Sequence, residues 1–295
     1  MYDIKALYEA GSVEEAIALL QQHPKAQIIA GGSDVLVQIR EGRRAGVELV
    51  SIYGIDALRG VTFDGDGMIR IGSLTSFSHI AKSPIIREKI AVLGEAVSQV
   101  GGPQIRNIGT IGGNTCNGVT SADSASTLLA WDAIVELRGP EGVRRLPIAD
   151  FYIRAGVVDL RPAELQTAIL IPRQAWEGYH GHYIKYAMRE ALDIANLSCS
   201  VNARLSEDRR TIADARVAYG VAGPVPMRAP TAEAAARGEP VCMKTVDAFA
   251  RSVLSDIHPR DSWRGSKVFR EHIAVELAKR ALARSIELAG GVIDG

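Results

Sequence analysis

Two glycine-rich segments constrain this chain more than any other feature: "IIAGGSD" at 28–34 and "GTIGGNTCNG" at 109–118. Both lack Cβ atoms at key places. Their main-chain N–H groups can therefore approach a ligand closely and the backbone can take positive φ, as concave anion-binding nests require. Neither segment contains lysine or histidine, so an anion held there is held by amides. About four amides on one pyrophosphate, at about 1.5–3 kcal/mol per bond to a charged acceptor, supply roughly 6–12 kcal/mol before desolvation. The competing explanation is that glycines punctuate turns. One segment following an apolar strand and a second between helices weigh against it. No G-x-G-x-x-G and no G-x-x-x-x-G-K-[ST] occurs, so neither a Rossmann turn nor a P-loop accounts for the pair.

A length of 295 residues exceeds the usual single domain and points to two. Lys+Arg and Asp+Glu both number 34, and neither sign gathers into a block, so nucleic acid is not an expected partner. Cys116, Cys199 and Cys242 are odd in number and far apart, which suggests neither a disulfide framework nor a cysteine-ligated zinc or iron–sulfur site. The N-terminal "MYDIKALYEAGSVEEA" has no continuous apolar core, and no stretch of about eighteen apolar residues follows. The expectation is a cytoplasmic protein that inserts in no membrane.

Along the chain, "SVEEAIALLQQHP" reads as a helix with a Ser12–Glu15 capping box and Val13, Ala16, Ile17 and Leu20 on one face. Residues 28–30 form a short strand. "ELVSI", "GVTF" and "MIRIGSLT" read as further strands, the last two joined by the Asp-Gly turn at 64–67. A helix over 83–101 is predicted from Pro84 in its first turn and Ile86, Ile90, Leu93 and Val97 in register. "SADSASTLLAWDA" resumes helix, "IVELRGPEGVRRLPI" is a hairpin, and "LQTAILIP" is a strand ending at Pro172. "PRQAWEGYHG" is the candidate domain boundary. Beyond it, three segments ending near residue 223 alternate like an antiparallel meander, and the remainder is helical.

Several residues invite chemistry and are read more simply. Cys116 has no nearby histidine to activate it and reads as packing. His180 and His182 lack a third ligand, so no metal site is expected. Met188 and Trp263 read as packing side chains.

Taken together, "AGGSDVLVQ", "QIRNIGTIGGNTCNG", "SADSASTLLAWDA", "YIKYAMREALDIANLS" and "DSWRGSKVFREHIAVELAKRAL" resemble the flavin-binding subunit of molybdenum-containing hydroxylases, the group that includes xanthine and carbon monoxide dehydrogenases. The resemblance covers nearly the whole chain. It implies an α+β architecture: a vanillyl-alcohol oxidase-type FAD-binding fold of two α/β subdomains, then a C-terminal domain with a three-stranded antiparallel sheet and helices. The implied domains are 1–176, with a subdomain boundary near 55–60, and 177–295.

Carried over position by position, the resemblance places Ile28, Ile29, Ala30, Gly31, Gly32, Ser33 and Asp34, with Gly109, Thr110, Ile111, Gly112, Gly113 and Asn114, around FAD, chiefly at its pyrophosphate and through main-chain donors. Asp123 matches an aspartate at the flavin's ribityl region, although alone it reads as an acid at a helix N-terminus. Lys185 matches a lysine near the isoalloxazine, although alone it reads as a solvent-facing strand lysine. Leu165 and Gln166 fall against the ring, where relatives often carry an apolar residue in place of Gln166. No side chain is assigned a catalytic role, because the redox chemistry belongs to the cofactor.

The implied function is electron transfer within a multisubunit molybdenum hydroxylase of bacterial xanthine dehydrogenase type, a heterotrimer of purine metabolism. A small subunit would carry 2Fe-2S clusters, a large subunit the molybdenum cofactor, and NAD+ or another acceptor would take the electrons. The alternatives are a non-redox nucleotide- or phosphate-binding module, and a structural subunit without flavin. Gly112→Val is expected to close the amide nest against FAD, with little loss of the apo fold if that loop is exposed.

Overall fold

The structure, a computed structural model, describes residues 2–294. Its first unit alternates strands and helices: β1 (Ile4–Glu9), α1 (Val13–Gln22), β2 (Gln27–Ile29), α2 (Val35–Arg40) and β3 (Val47–Ser51). The three strands form a parallel sheet in the order β1-β3-β2. Ser12 Oγ accepts from Glu15 N at 3.1 Å, and Glu15 Oε2 accepts from Gly11 N at 2.8 Å. The Ser12 hydroxyl thus satisfies an orphan donor of the first turn, and Glu15 reaches back to the amide one residue before the cap. Val13, Ala16, Ile17 and Leu20 are buried against the sheet.

The second unit runs through β4 (Val61–Phe63), β5 (Ile69–Gly72), α3 (Phe77–Lys82), α4 (Pro84–Lys89), α5 (Ala91–Ser98), α6 (Pro103–Ile108), α7 (Ile111–Cys116) and α8 (Asp123–Ala130). It continues with β6 (Ile134–Gly139), β7 (Gly142–Pro147), α9 (Ile148–Phe151), the hairpin β8 (Tyr152–Arg154) and β9 (Val157–Val158), β10 (Leu165–Ile171) and α10 (Arg173–Trp176). Its antiparallel sheet has the order β4-β5-β10-β6-β7, with β10 buried along its whole length. At the β4–β5 turn, Asp64 Oδ1 accepts from the amides of Asp66 and Met68, and Gly67 takes φ +82°.

The helix expected over 83–101 breaks at Ile90, which has φ −141° and ψ 51°. Ile86, Ile90, Leu93 and Val97 all stay buried, so the periodicity located the core side chains correctly. It could not register that α4 turns toward β4 while α5 packs on α8 and the next sheet.

That sheet contains β11 (His180–Tyr186), β12 (Leu197–Leu205), β13 (Ile212–Gly220) and the two-residue β14 (Met227–Arg228), all antiparallel in chain order. The expected three-stranded meander is present, with β14 added at its edge. α11 (Pro230–Ala236), α12 (Met243–Ser252) and α13 (Lys267–Leu288) complete the chain. α13 and α12 bury Phe249, Ala274, Leu277 and Leu282 in one core with Val201 and Val217 of the sheet. The packing reading of Met188 and Trp263 is corrected: they are 71% and 82% exposed. Trp263 instead lies under the Arg264 guanidinium, 4.0 Å from its ring centroid, a contact that large side chains make without entering a core. Among the described residues, no helix is long and apolar enough to cross a membrane.

Candidate functional site

The site grows from the C-terminal end of β2, where the chain leaves a parallel strand for a helix, a place open α/β sheets use for ligands. Ile29 O accepts from Ile52 N, which anchors the strand end just before the glycines. Gly32 then adopts φ +71°, a conformation that glycine takes without strain. Gly31 faces α6 so closely that a Cβ on it would lie 1.9 Å from the carbonyl oxygen of Ile108 and 3.3 Å from Gly109 N. The two glycine segments are therefore in contact. Among the described residues, the amides of Gly31, Gly32, Ser33 and Asp34 have no acceptor. Ser33 and Asp34 are exposed, and the Asp34 carboxylate accepts from Gln38 Nε2 at 2.8 Å.

The second segment is built differently from expectation. Residues 111–116 form α7, with Thr110 as its cap: Thr110 Oγ1 accepts from Gly113 N at 3.1 Å. Ile111 N donates to Thr75 O at 3.0 Å, Gly112 N to Ser73 O at 2.8 Å, and Asn114 N to Thr110 O at 3.0 Å. Four amides expected to face a ligand are thus already engaged. The physical reason is local: a Thr-x-x-Gly start caps a helical turn as readily as it opens a nest. Gly112 is buried, and a Cβ there would meet Ser73 Cβ at 2.6 Å. Its missing side chain serves the seating of α7 on the end of β5. Gly113 is exposed, and Asn114 is partly so.

Asn114 Oδ1 accepts from Ser124 Oγ at 2.6 Å, which ties the second segment to the start of α8. The next side chain back, Asp123, is the first residue of that helix and only 6% exposed. Its Oδ1 accepts from Tyr183 OH at 2.8 Å and its Oδ2 from Lys185 Nζ at 2.9 Å. Tyr183 and Lys185 stand two apart on β11 and so point to one face of the sheet. Burial raises the Asp123 carboxyl above its ordinary range, with the Lys185 ammonium and the Tyr183 hydroxyl opposing it. Burial likewise pushes the Tyr183 phenol well above its usual value, and the Asp123 charge adds to this. Lys185 Nζ also donates to Gln99 O at 3.1 Å. The solvent-facing alternative for Lys185 fails: its side chain is buried against Asp123. Gln99 and Lys185, with Met188, Arg189 and Leu192 on the loop after β11, border a cavity of about 240 Å³.

The strand β10 sorts Leu165 and Gln166 to different neighbours. Leu165 belongs to the core around α1, with Ile17, Leu58 and Leu74. Gln166, 3% exposed, faces α7, where its Oε1 accepts from Thr115 Oγ1 at 2.7 Å and from Cys116 Sγ at 3.1 Å. Its Nε2 has no partner among the described residues. Burial pushes the Cys116 thiol up to about 12, so it remains protonated at neutral pH, as its packing role requires. His182 Nδ1 lies 3.3 Å from Glu95 Oε2.

The residues fit a bound dinucleotide. A turn with four unengaged amides, an adjoining glycine helix, a buried carboxylate–ammonium pair and an orphan buried amide are groups that a polyhydroxylated diphosphate ligand could complete. Sequence reasoning singled out Asp123 and Lys185 but missed Tyr183 and the Gln99 carbonyl. The Tyr-x-Lys alternation on a strand was the available signal for the first; a main-chain carbonyl leaves no signal.

Comparisons with known proteins place the chain in a flavoprotein family. Residues 2–174 match the family described as FAD binding domain in molybdopterin dehydrogenase, and residues 182–285 match the CO dehydrogenase flavoprotein C-terminal domain. The chain is 40% identical over 294 residues to the xanthine dehydrogenase FAD-binding subunit of Escherichia coli O157:H7, covering 100% of both chains. It is 30% identical to the carbon monoxide dehydrogenase medium chain of Hydrogenophaga pseudoflava, over 92% of this chain and 93% of that one. A solved structure of the carbon monoxide dehydrogenase from the same organism, lacking the Mo-pyranopterin moiety, superposes with a TM-score of 0.91 at 30% identity, covering 98% of this chain and 99% of that one.

Proposed function

The chain belongs to the family of FAD-binding subunits of molybdenum hydroxylases, and from that premise we propose that it serves as the electron-transfer flavoprotein of a xanthine dehydrogenase-type complex. The observation that carries this reading is the close approach of Gly31 to Ile108 and Gly109, at the start of the second glycine segment, beside four unengaged amides. When bound, FAD supplies the step between one-electron donors and a two-electron acceptor.

In this reading the amides of Gly31 to Asp34 bind the pyrophosphate. The second segment contributes shape and the side chain of Asn114 more than main-chain donors. Asp123, held by Tyr183, accepts from ribityl hydroxyls with its remaining lone pairs. Lys185, oriented by Asp123 and Gln99, keeps a positive charge near the ring. Leu165 supports the site from the α1 core, and Gln166 lies closer to it. Ile28, Ile29 and Ala30 set the height of the first turn. Residues 1–176 form the FAD-binding domain, with a subdomain boundary near 55–60, and residues 177–295 the C-terminal domain.

The assembly would include a 2Fe-2S small subunit and a molybdenum-cofactor large subunit, with NAD+ as acceptor, in the cytoplasm and in purine metabolism. The 40% identity to a xanthine dehydrogenase subunit favours that substrate class. The test is co-purification from cells expressing the three subunits, with the absorption spectrum recorded and the copurified chains identified by mass. A yellow complex reduced by xanthine and reoxidised by NAD+ supports the reading. A complex that reduces NAD+ only with another substrate, or a colourless chain, contradicts it.

A further inference from the structure

The second strand of the C-terminal sheet has two unlike faces. Leu197, Cys199, Val201 and Ala203 of β12 belong to the core formed with α12 and α13. Ser198, Ser200 and Asn202 alternate with them and continue from Asn196 along the other face, and all four of these polar residues are at most 1% exposed. This face lies on the FAD-binding domain: Asn202 Nδ2 donates to Ala130 O, at the end of α8, at 2.9 Å. Tyr183 and Lys185, which bond Asp123 at the start of α8, pair across the sheet with Ser200 and Ser198 and so share the same face. The joint is poorly satisfied. Asn196 Nδ2 and Oδ1, Ser198 Oγ, Ser200 Oγ and Asn202 Oδ1 have no partner among the described residues, and Ser126 Oγ of α8 has none either. Among the described residues of the sheet, only Tyr183 and Ala218 join the buried core of the second unit. Buried polar groups without partners weaken a contact, because water satisfies them once the surfaces part. In the core on the strand's other face, no residue leaves a polar side-chain atom unpaired. The two faces of β12 are therefore held with unequal firmness. One segment, from Pro172 to His180, links the domains, and Gly178 within it takes φ +76°.

We propose that the C-terminal domain parts from the FAD-binding domain along the joint of β12 with α8, as a folded unit, and that bound FAD holds the joint closed. Polar domain interfaces of this kind permit relative motion. The groups assigned to the cofactor come from both sides, Asp123 from α8 and Lys185 from β11. A ligand spanning them binds the closed form and draws the population toward it. This second half rests on the FAD-binding reading above; the first half does not.

The test is thiol labelling of the full-length Ser200→Cys variant under native conditions, with modified positions read by fragment mass. Each rate is divided by that of the same thiol in denatured protein. Cys199 is the internal control: it is adjacent in sequence, 0% exposed like Ser200, and on the opposite face. Without FAD, the introduced thiol is expected to react at least about tenfold faster than Cys199. With FAD at about ten times its dissociation constant, the introduced thiol is expected to react about tenfold more slowly than without it. Equal rates at positions 199 and 200 would overturn the proposal, since global unfolding exposes both faces together. Ser198→Cys repeats the measurement on the same face should Ser200→Cys not fold. A rate at position 200 that bound FAD leaves unchanged would overturn the closing role of FAD. Failure of the wild-type chain to bind FAD would instead sink the reading on which that role rests, with the difference between the two faces left standing.

Discussion

Gly31 and Ile108 meet backbone to backbone: a methyl group on Gly31 would sit 1.9 Å from the Ile108 carbonyl oxygen. This contact joins two segments that are 77 positions apart in the chain (108 − 31). Neither partner is the far end of a flexible side chain, so the backbone itself would have to move. Gly31→Ala is therefore expected to lower stability by about 1–3 kcal/mol through overpacking and to abolish FAD retention. Thermal unfolding and flavin content after purification check both parts. Gly32→Ala is a milder control for the same turn: its new Cβ meets only side chains, Leu36 at 3.0 Å and Ile29 at 3.3 Å, and the positive φ costs about 1–2 kcal/mol.

Gly112→Val spares the fold only if its loop is exposed, and Gly112 is buried. A Cβ at Gly112 would meet Ser73 at 2.6 Å at Cβ and 2.8 Å at its carbonyl oxygen. The variant should lose at least about 1–3 kcal/mol as flavin-free protein, seen as a lower urea midpoint. A flavin-free protein of wild-type stability would show that α7 is not seated as described.

The pair Asp123–Lys185 yields a pH prediction. The folded Asp123 carboxyl is raised above its unfolded value of 3.8 by burial, so its contribution to stability is full below that value. It is lost as pH rises through the folded value. Lys185 opposes the raise, and Lys185→Met removes that opposition. The variant should therefore lose stability over a window that starts near 3.8 and extends to higher pH than in the wild type. At neutral pH, breaking the buried pair costs about 3–5 kcal/mol. Melting temperature against pH for both proteins decides it: parallel curves would show that the pair is not coupled in the folded state.

Thiol accessibility is a further check. Burial holds Cys116 and Cys199 protonated, whereas Cys242, at the start of α12, has its thiol lowered by hydrogen bonding to Thr245. A thiol reagent at pH about 8, near the ordinary cysteine value, should label Cys242 quickly in the folded protein and all three cysteines after denaturation. Rapid labelling of Cys116 would mean that α7 opens in solution.

Much of the architecture was legible because it depends on local chemistry. The Ser12–Glu15 cap, the Asp64 turn and the β6–β7 hairpin each follow from side chains within a few residues of one another. The break at Ile90 was hidden, since the same four isoleucine, leucine and valine side chains are buried whether the helix is straight or bent. The site shows the same division. Asp123 and Lys185 could be marked individually, but their pairing through Tyr183 joins α8 to a strand about sixty residues on, and no local pattern encodes it. The glycines of the second segment announced close backbone approach without naming the group approached. At Gly112 the approaching group is Ser73 of the protein itself. Trp263 was assigned to packing by its size, which says what a side chain can bury and not whether a neighbour covers it.

The central claim is that the Gly31–Asp34 amides, shaped by contact with the second glycine segment, grip the diphosphate bridge of FAD. Its most direct test is a fluorescence titration of the flavin-free, full-length chain with FAD, FMN and riboflavin under one condition. The account predicts saturable binding of one FAD per chain, weaker binding of FMN, and no saturable binding of riboflavin, which offers the Gly31–Asp34 amides no phosphate. Riboflavin binding as tightly as FAD would contradict it.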